Sequence, residues 1–209
     1  ITGEGTDFGE TTILYENDGS GGLTPIDAGL ADVEASSIDV ADIEGDGDLD
    51  LVITGVGEAG AQAVIYENDG TGNFSPVSAG LTGVTSGSST FGDFDQDGDP
   101  DLVITGRDPD GNATTTIYEN DGTGGFTAVG AGLEGVRGGS STDWADIDDD
   151  GDLDLVVTGG AEDGGSTAGD EPEASRGEEC RAATRLASGQ RASGQPVGKP
   201  GTEMRKADR

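Results

Sequence analysis

Histidine is absent from this chain of 209 residues, and its one cysteine, Cys180, lies far outside the patterned part of the sequence. The first absence removes the commonest general base and the commonest transition-metal ligand. The second excludes a disulfide framework and a cysteine-based zinc site. Lysine is missing from residues 1–159, where Arg107 and Arg137 are the only basic residues. Nucleic acids and anionic membrane surfaces both demand clustered cations, so neither is expected as a partner. No apolar run approaches the ~20 residues of a membrane span, so no membrane insertion is expected of this segment. No signal peptide is visible, and the chain starts at Ile1 in mid-repeat, which reads as a fragment of a longer array.

What the chain has in excess is acid. The formal net charge is −33, and residues 1–159 hold 34 Asp or Glu against two Arg. Asp outnumbers Glu by 25 to 9 in that part. Bound cations explain such a bias, and adaptation to high salt is the alternative. Residues 160–209 are nearly balanced, with 9 acidic and 8 basic residues, and are rich in Gly, Ala, Ser, Glu and Arg without one aromatic. The sequence therefore divides into 1–159 and a low-complexity tail, 160–209. The tail cannot bury enough apolar surface to offset ordering and is expected to be disordered.

Residues 1–159 repeat. Ile1-Thr2-Gly3 recurs as Ile53-Thr54-Gly55, Ile104-Thr105-Gly106 and Val157-Thr158-Gly159, at steps of 52, 51 and 53 residues. Tyr15, Tyr66 and Tyr118 each open a Tyr-Glu-Asn-Asp-Gly run, and Ala-Gly-Leu ends at Leu30, Leu81 and Leu133. Three markers in one register make about three periods of ~51 residues.

Within a period, Leu51-Val52-Ile53 is a short β-branched run suited to a buried strand. Ala63-Val64-Ile65-Tyr66 is a second strand. Asn68-Asp69-Gly70-Thr71-Gly72-Asn73 supplies the residues a hairpin needs for positive φ. Phe74-Ser75-Pro76-Val77 is an outer strand, because Pro76 cannot donate to a central ladder. A fourth strand ends at Phe91. The fold class expected is all-β, with propeller-type blades of four short antiparallel strands.

Three acidic loops punctuate the repeats. Asp42-Ile43-Glu44-Gly45-Asp46-Gly47-Asp48-Leu49-Asp50 is followed by equivalents over Asp93–Asp101 and Asp146–Asp154. So many carboxylates repel one another by roughly 4 kcal/mol per pair at ~4 Å and an effective dielectric near 20. A hard cation bound by six to eight oxygens relieves that repulsion. Counting from the first Asp, positions 1, 3, 5 and 9 offer side-chain oxygens and position 7 its carbonyl, while Gly at position 6 permits the turn. The ligand sets are Asp42, Glu44, Asp46, Asp48 and Asp50; Asp93, Asp95, Asp97, Asp99 and Asp101; and Asp146, Asp148, Asp150, Asp152 and Asp154. Position 12 is Ile53, Ile104 or Val157 rather than a bidentate Glu, which excludes an EF-hand. A period of ~51 excludes the nonapeptide calcium β-roll.

The pattern Asp-x-Asp-x-Asp-Gly-x-x-Asp-Leu-Val, preceded by Phe91-Gly92 and followed by an Asn-Asp-Gly-x-Gly-x-Phe hairpin, resembles the FG-GAP/VCBS repeat. Such repeats build the β-propeller of integrin α subunits and of many secreted and surface bacterial proteins. The resemblance covers residues 1–159 and implies about three Ca2+ sites on the propeller rim. Glu44 departs from the usual Asp or Asn and is expected to loosen the first site. Val40-Ala41 and Trp144-Ala145 replace Phe-Gly. Three units are fewer than the four to eight blades of a closed propeller, and a larger array is expected over self-association.

The remaining conspicuous residues have structural readings. Tyr15, Tyr66, Tyr118 and Trp144 are expected in the core, Asn17, Asn68 and Asn120 in turns, and Arg107 and Arg137 on the surface. The function expected is a non-catalytic, calcium-binding module for extracellular or cell-surface binding or adhesion, with an unidentified protein or glycan as partner. The alternatives are the scaffold of a secreted polysaccharide-active enzyme and a spacer in a large surface protein. No His base or nucleophile constellation supports the enzyme.

Overall fold

The computed structural model describes residues 2–4 and 9–161. The tail from residue 162, and with it the expectation of disorder there, lies outside the described residues. Fourteen strands and no helix are present among the described residues. All pairings are antiparallel.

Strands β1 (Thr2–Glu4), β2 (Glu10–Thr12), β3 (Leu14–Asn17) and β4 (Leu23–Ile26) form two small paired units. A complete blade follows from β5 (Glu34–Ala41), β6 (Asp50–Gly57), β7 (Gly60–Asn68) and β8 (Phe74–Val77), hydrogen-bonded in that order. The next is β9 (Thr85–Gly92), β10 (Asp101–Arg107), β11 (Ala113–Asn120) and β12 (Phe126–Val129). The last two, β13 (Val136–Ala145) and β14 (Asp154–Ala161), begin a third blade and join the second through the single pairing of Thr114 with Val136. The sheets do not close into a ring, so the described residues form a partial propeller.

The expected four strands per period are present, but the blade is cut differently from the sequence period. The strand that ends at Phe91 belongs to the following sheet, whose first strand it is. Each acidic loop therefore joins the first and second strands of one blade. The second strands are longer than their apolar runs because Thr-Gly extends them. Gly55 and Gly106 have φ of 151° and 143°, and a Cβ there would press on the carbonyls of Glu34 and Thr85. Those carbonyls come close because the first strands bulge at Ala35 and Ser86, both at positive φ. The repeated Ile-Thr-Gly is thus a packing requirement between two strands.

First strands of successive blades are joined by polar contacts. Asp39 accepts from the Phe91 amide at 2.7 Å and from the Thr90 hydroxyl at 3.2 Å. Ser37 Oγ accepts from the Ser89 amide, and Ser88 Oγ lies 3.1 Å from Thr142 Oγ1. Apolar cores fill the space between and within blades. Ile43, Val52, Ile65, Val84, Leu102, Ile104 and Tyr118 form the largest.

Tyr66 and Tyr118 are core residues, and each hydroxyl accepts from the link before its blade, at Ala31 N and Thr82 N, both 2.9 Å. Tyr15 departs from expectation at 37% exposure. Val40, aligned with Phe91 and Trp144, is also exposed. Asn17, Asn68 and Asn120 sit at turns as expected, accepting from the amides of Gly19, Gly70 and Gly122.

Candidate metal centre

Each acidic loop is shaped first by its own carboxylates. Position 1 receives two backbone amides in all three copies. Asp42 accepts from Asp46 N and Gly47 N, Asp93 from Asp97 N and Gly98 N, and Asp146 from Asp150 N and Gly151 N, at 2.9–3.1 Å. Position 5 accepts from the amide of position 7, as in Asp97 with Asp99 at 3.0 Å. The turn needs left-handed backbone at position 6, where Gly47, Gly98 and Gly151 have φ of 96°, 102° and 94°.

Position 9 anchors the loop to the blade. Asp50 and Asp101 are fully buried. Asp101 accepts from Phe94 N at 3.0 Å and Asn120 N at 2.9 Å, and Asp50 from Ile43 N and Asn68 N. Asp154 repeats the first of these contacts with Ile147 N at 3.1 Å.

The result is a convergence of oxygens. Among the described residues, Asp93, Asp95 and Asp101 bring carboxylate oxygens within 4.8 Å of one another, and so do Asp146, Asp148 and Asp154. These triads are positions 1, 3 and 9 of the second and third loops, and they can hold a metal ion. Asp97 and Asp150 flank them on the same turns. The side chains of Asp48 and Asp99 lie against Gly70 and Gly122, where a Cβ has no room. Asp152 is held instead by Gln96.

The first loop does not form such a triad. Glu44 lies against Asp50, and its Oε2 is buried without a hydrogen-bond partner. Burial and the nearby charges of Asp50, Glu67 and Asp46 push Glu44 up to about 7. Burial, more than the charges of Asp95 and Asp97, lifts Asp101 to about 6, against the opposing pull of its two amide donors. Burial and the charge of Asp97 also raise Asp95. In all three, burial is the largest cause and neighbouring carboxylates add to it. The donors are exclusively oxygen, which suits a hard ion such as Ca2+ and not a soft metal. Orphaned Glu44 Oε2 and the converging triads fit a bound cation, with the second and third loops better preorganised than the first.

Contacts between loops and blades were not legible as site features. Position 2 of the first and second loops is an apolar anchor into the next blade. Ile43 is fully buried among Leu102, Ile104 and Tyr118, and Phe94 stacks on Trp144. Ile147, its third counterpart, is 59% exposed. Asn120, read as a turn residue, is also fully buried and donates through Nδ2 to the carbonyls of Ile43 (2.8 Å) and Pro100 (3.1 Å). It therefore ties the first loop to the second. Gln96 Nε2 ties the second to the third through Gly151 O and Asp152 Oδ1, both at 2.7 Å. The apolar residue at position 2 was a signal available in the sequence. Gln96, which has no counterpart in the other loops, offered none.

The sequence model described as FG-GAP-like repeat matches residues 56–104 and 93–157. No curated protein matches the chain. Among solved structures, a lectin of Agrocybe aegerita, titled for specific recognition of non-reducing terminal N-acetylglucosamine, aligns over 71% of this chain at 20% identity with a TM-score of 0.45. The chain spans 41% of that structure's length.

Proposed function

Residues 56–157 of this chain are FG-GAP-like repeats, and from that premise we propose a non-catalytic, Ca2+-binding propeller module that acts in extracellular or cell-surface binding or adhesion. The observation that carries the metal part is the convergence of Asp93, Asp95 and Asp101, repeated by Asp146, Asp148 and Asp154. Bound Ca2+ neutralises the carboxylates and pins the loop that feeds the second strand of each blade. Asp93, Asp95, Asp97 and Asp101 would hold the ion in the second loop, and Asp146, Asp148, Asp150 and Asp154 in the third, with the carbonyls of Asp99 and Asp152 as further donors. In the first loop Asp42, Glu44, Asp46 and Asp50, with the carbonyl of Asp48, form a weaker counterpart.

The role is structural, so the partner surface is the blade scaffold that the ions stiffen. Millimolar extracellular calcium suits sites of modest affinity, which favours a secreted or surface location. The non-catalytic reading is supported by the acidic side chains, which the loops already use as backbone caps and cation ligands. Calorimetric titration with Ca2+ and with Mg2+ tests the metal. A chain that takes up no Ca2+ sinks the proposal. Screening the chain on glycan and protein arrays, with Ca2+ and with chelator, tests the binding role. A Ca2+-dependent ligand supports it, whereas depolymerisation of a polysaccharide by the chain replaces it with an enzyme.

A further inference from the structure

We infer that Gln96 is a positioning residue that couples the second and third cation loops, so that filling one raises the affinity of the other. The inference rests on the metal reading above and adds how the sites are regulated. Gln96 stands at position 4 of the second loop, between Asp95 and Asp97, both carboxylates of that site. Its backbone is left-handed, with φ of 63°, an uncommon conformation for glutamine. That geometry projects the side chain out of its own loop and into the next. There Nε2 donates to Gly151 O and to Asp152 Oδ1 at 2.7 Å each.

The contact falls on the part of the third loop that a cation must find in place. Gly151 is the turn residue whose amide caps Asp146, and Asp152 offers the position-7 carbonyl. A cation that orders Asp95 and Asp97 fixes the main chain of Gln96. Gln96 then holds residues 151 and 152 before the third site fills, sparing that site part of its ordering cost. Thermodynamic reciprocity makes the coupling run both ways. The third loop has most need of such support. Its anchor Ile147 is exposed, and the Tyr-Glu-Asn-Asp-Gly hairpin that packs against the first and second loops has no described counterpart beside it. In the first loop position 4 is Gly45, which has no side chain to reach forward.

The test is Ca2+ titration of the whole chain, residues 1–209, comparing wild type with Q96G. Glycine suits the left-handed backbone, so the change removes the amide without adding strain. The expected result is a third site weakened about fivefold or more, at the lower end of ordinary coupling factors, with the first site unmoved. A second arm separates coupling from mere support. Asp97→Ala, which impairs the second site, weakens the third in the wild-type chain and has no further effect on it in Q96G. Amide exchange at residues 150–152 in chelator should also quicken in Q96G. Equal third-site affinity in wild type and Q96G, with the sites still filling, overturns the coupling and leaves the metal reading standing. A wild-type chain that takes up no Ca2+ overturns both, a result distinguishable because it needs no variant.

Discussion

The ring of Phe94 lies over the indole of Trp144 with centroids 6.2 Å apart and planes inclined by 17°. Phe94 belongs to the second acidic loop and Trp144 to the first strand of the following blade, so the pair locks an acidic loop onto its neighbour. Offset stacking of this kind is worth about 0.5–1.5 kcal/mol beyond the area it buries. Trp144→Ala should cost about 2–3 kcal/mol in chemical denaturation, somewhat less than a fully buried tryptophan, and Trp144→Phe should recover most of it. Trp144 is the sole tryptophan. Its fluorescence should therefore change as the second loop fills with Ca2+, and Asp95→Ala should remove that response.

Asp101 has two tasks that mutation can separate. It is a member of the acidic triad, and it caps the amides of Phe94 and Asn120 in a fully buried position. Asp101→Ala strands two buried donors at about 1–3 kcal/mol each. The loss of stability should appear in chelator as well as in Ca2+. Asp97→Ala, on the exposed side of the same loop, should lower Ca2+ uptake and leave the chelated melt nearly unchanged.

These two residues show what the sequence made legible. The four-strand blade and the loop spacing follow from local rules: β-branched runs, turn residues and a repeated acidic pattern. Blade boundaries did not, because only hydrogen bonding decides that the strand ending at Phe91 opens a sheet instead of closing one. Tyr15 was misjudged as core, and Val40 is exposed where Phe91 and Trp144 are partly covered, for a related reason. Their burial depends on a neighbouring unit, and repeat position alone does not supply one. Asn120 and Gln96 join loops more than 50 residues apart in sequence, and long-range polar bridges leave no trace in a local pattern.

Removing the cation should lower stability in proportion to the number of filled sites. At a Ca2+ concentration a hundredfold above Kd, each site that exists only in the fold adds about 2.7 kcal/mol. Differential scanning calorimetry with and without chelator should show a large fall in Tm, and an unchanged melt would count against every loop as a metal site.

The first loop should respond to a single methylene. Glu44 sits against Asp50 with one oxygen orphaned, and burial with the neighbouring charges pushes its carboxyl up to about 7. At pH 6 a cation must displace its proton, at a cost near 1.4 kcal/mol for one unit of pKa. Glu44→Asp shortens the side chain to match positions 95 and 148. It should tighten the first site by about tenfold at pH 6, the same 1.4 kcal/mol, and by less at pH 8. Calorimetric titration at the two pH values reads this directly. Equal affinities for the variant and wild type at pH 6 would show that Glu44 is no obstacle.

The pH dependence of the metal-free chain should run opposite to ordinary acid denaturation over a defined window. Glu44, at about 7, and Asp101, at about 6, both lie above their unfolded values of 4.5 and 3.8. In that interval the folded chain binds more protons than the unfolded chain, so stability falls as pH rises. In chelator, the urea midpoint should therefore climb as pH drops from about 7 toward 4.5. Below about 3.8 the trend should reverse, because Asp18, Asp69, Asp108 and Asp121 are held below their usual range by hydroxyl, amide and backbone donors at the turns. In saturating Ca2+ the climb should vanish. Protons then compete with the cation for the same carboxylates, and acidification costs the stabilisation that binding supplies. Matching pH profiles in chelator and in Ca2+ would mean that the buried carboxylates and the cation do not share one site.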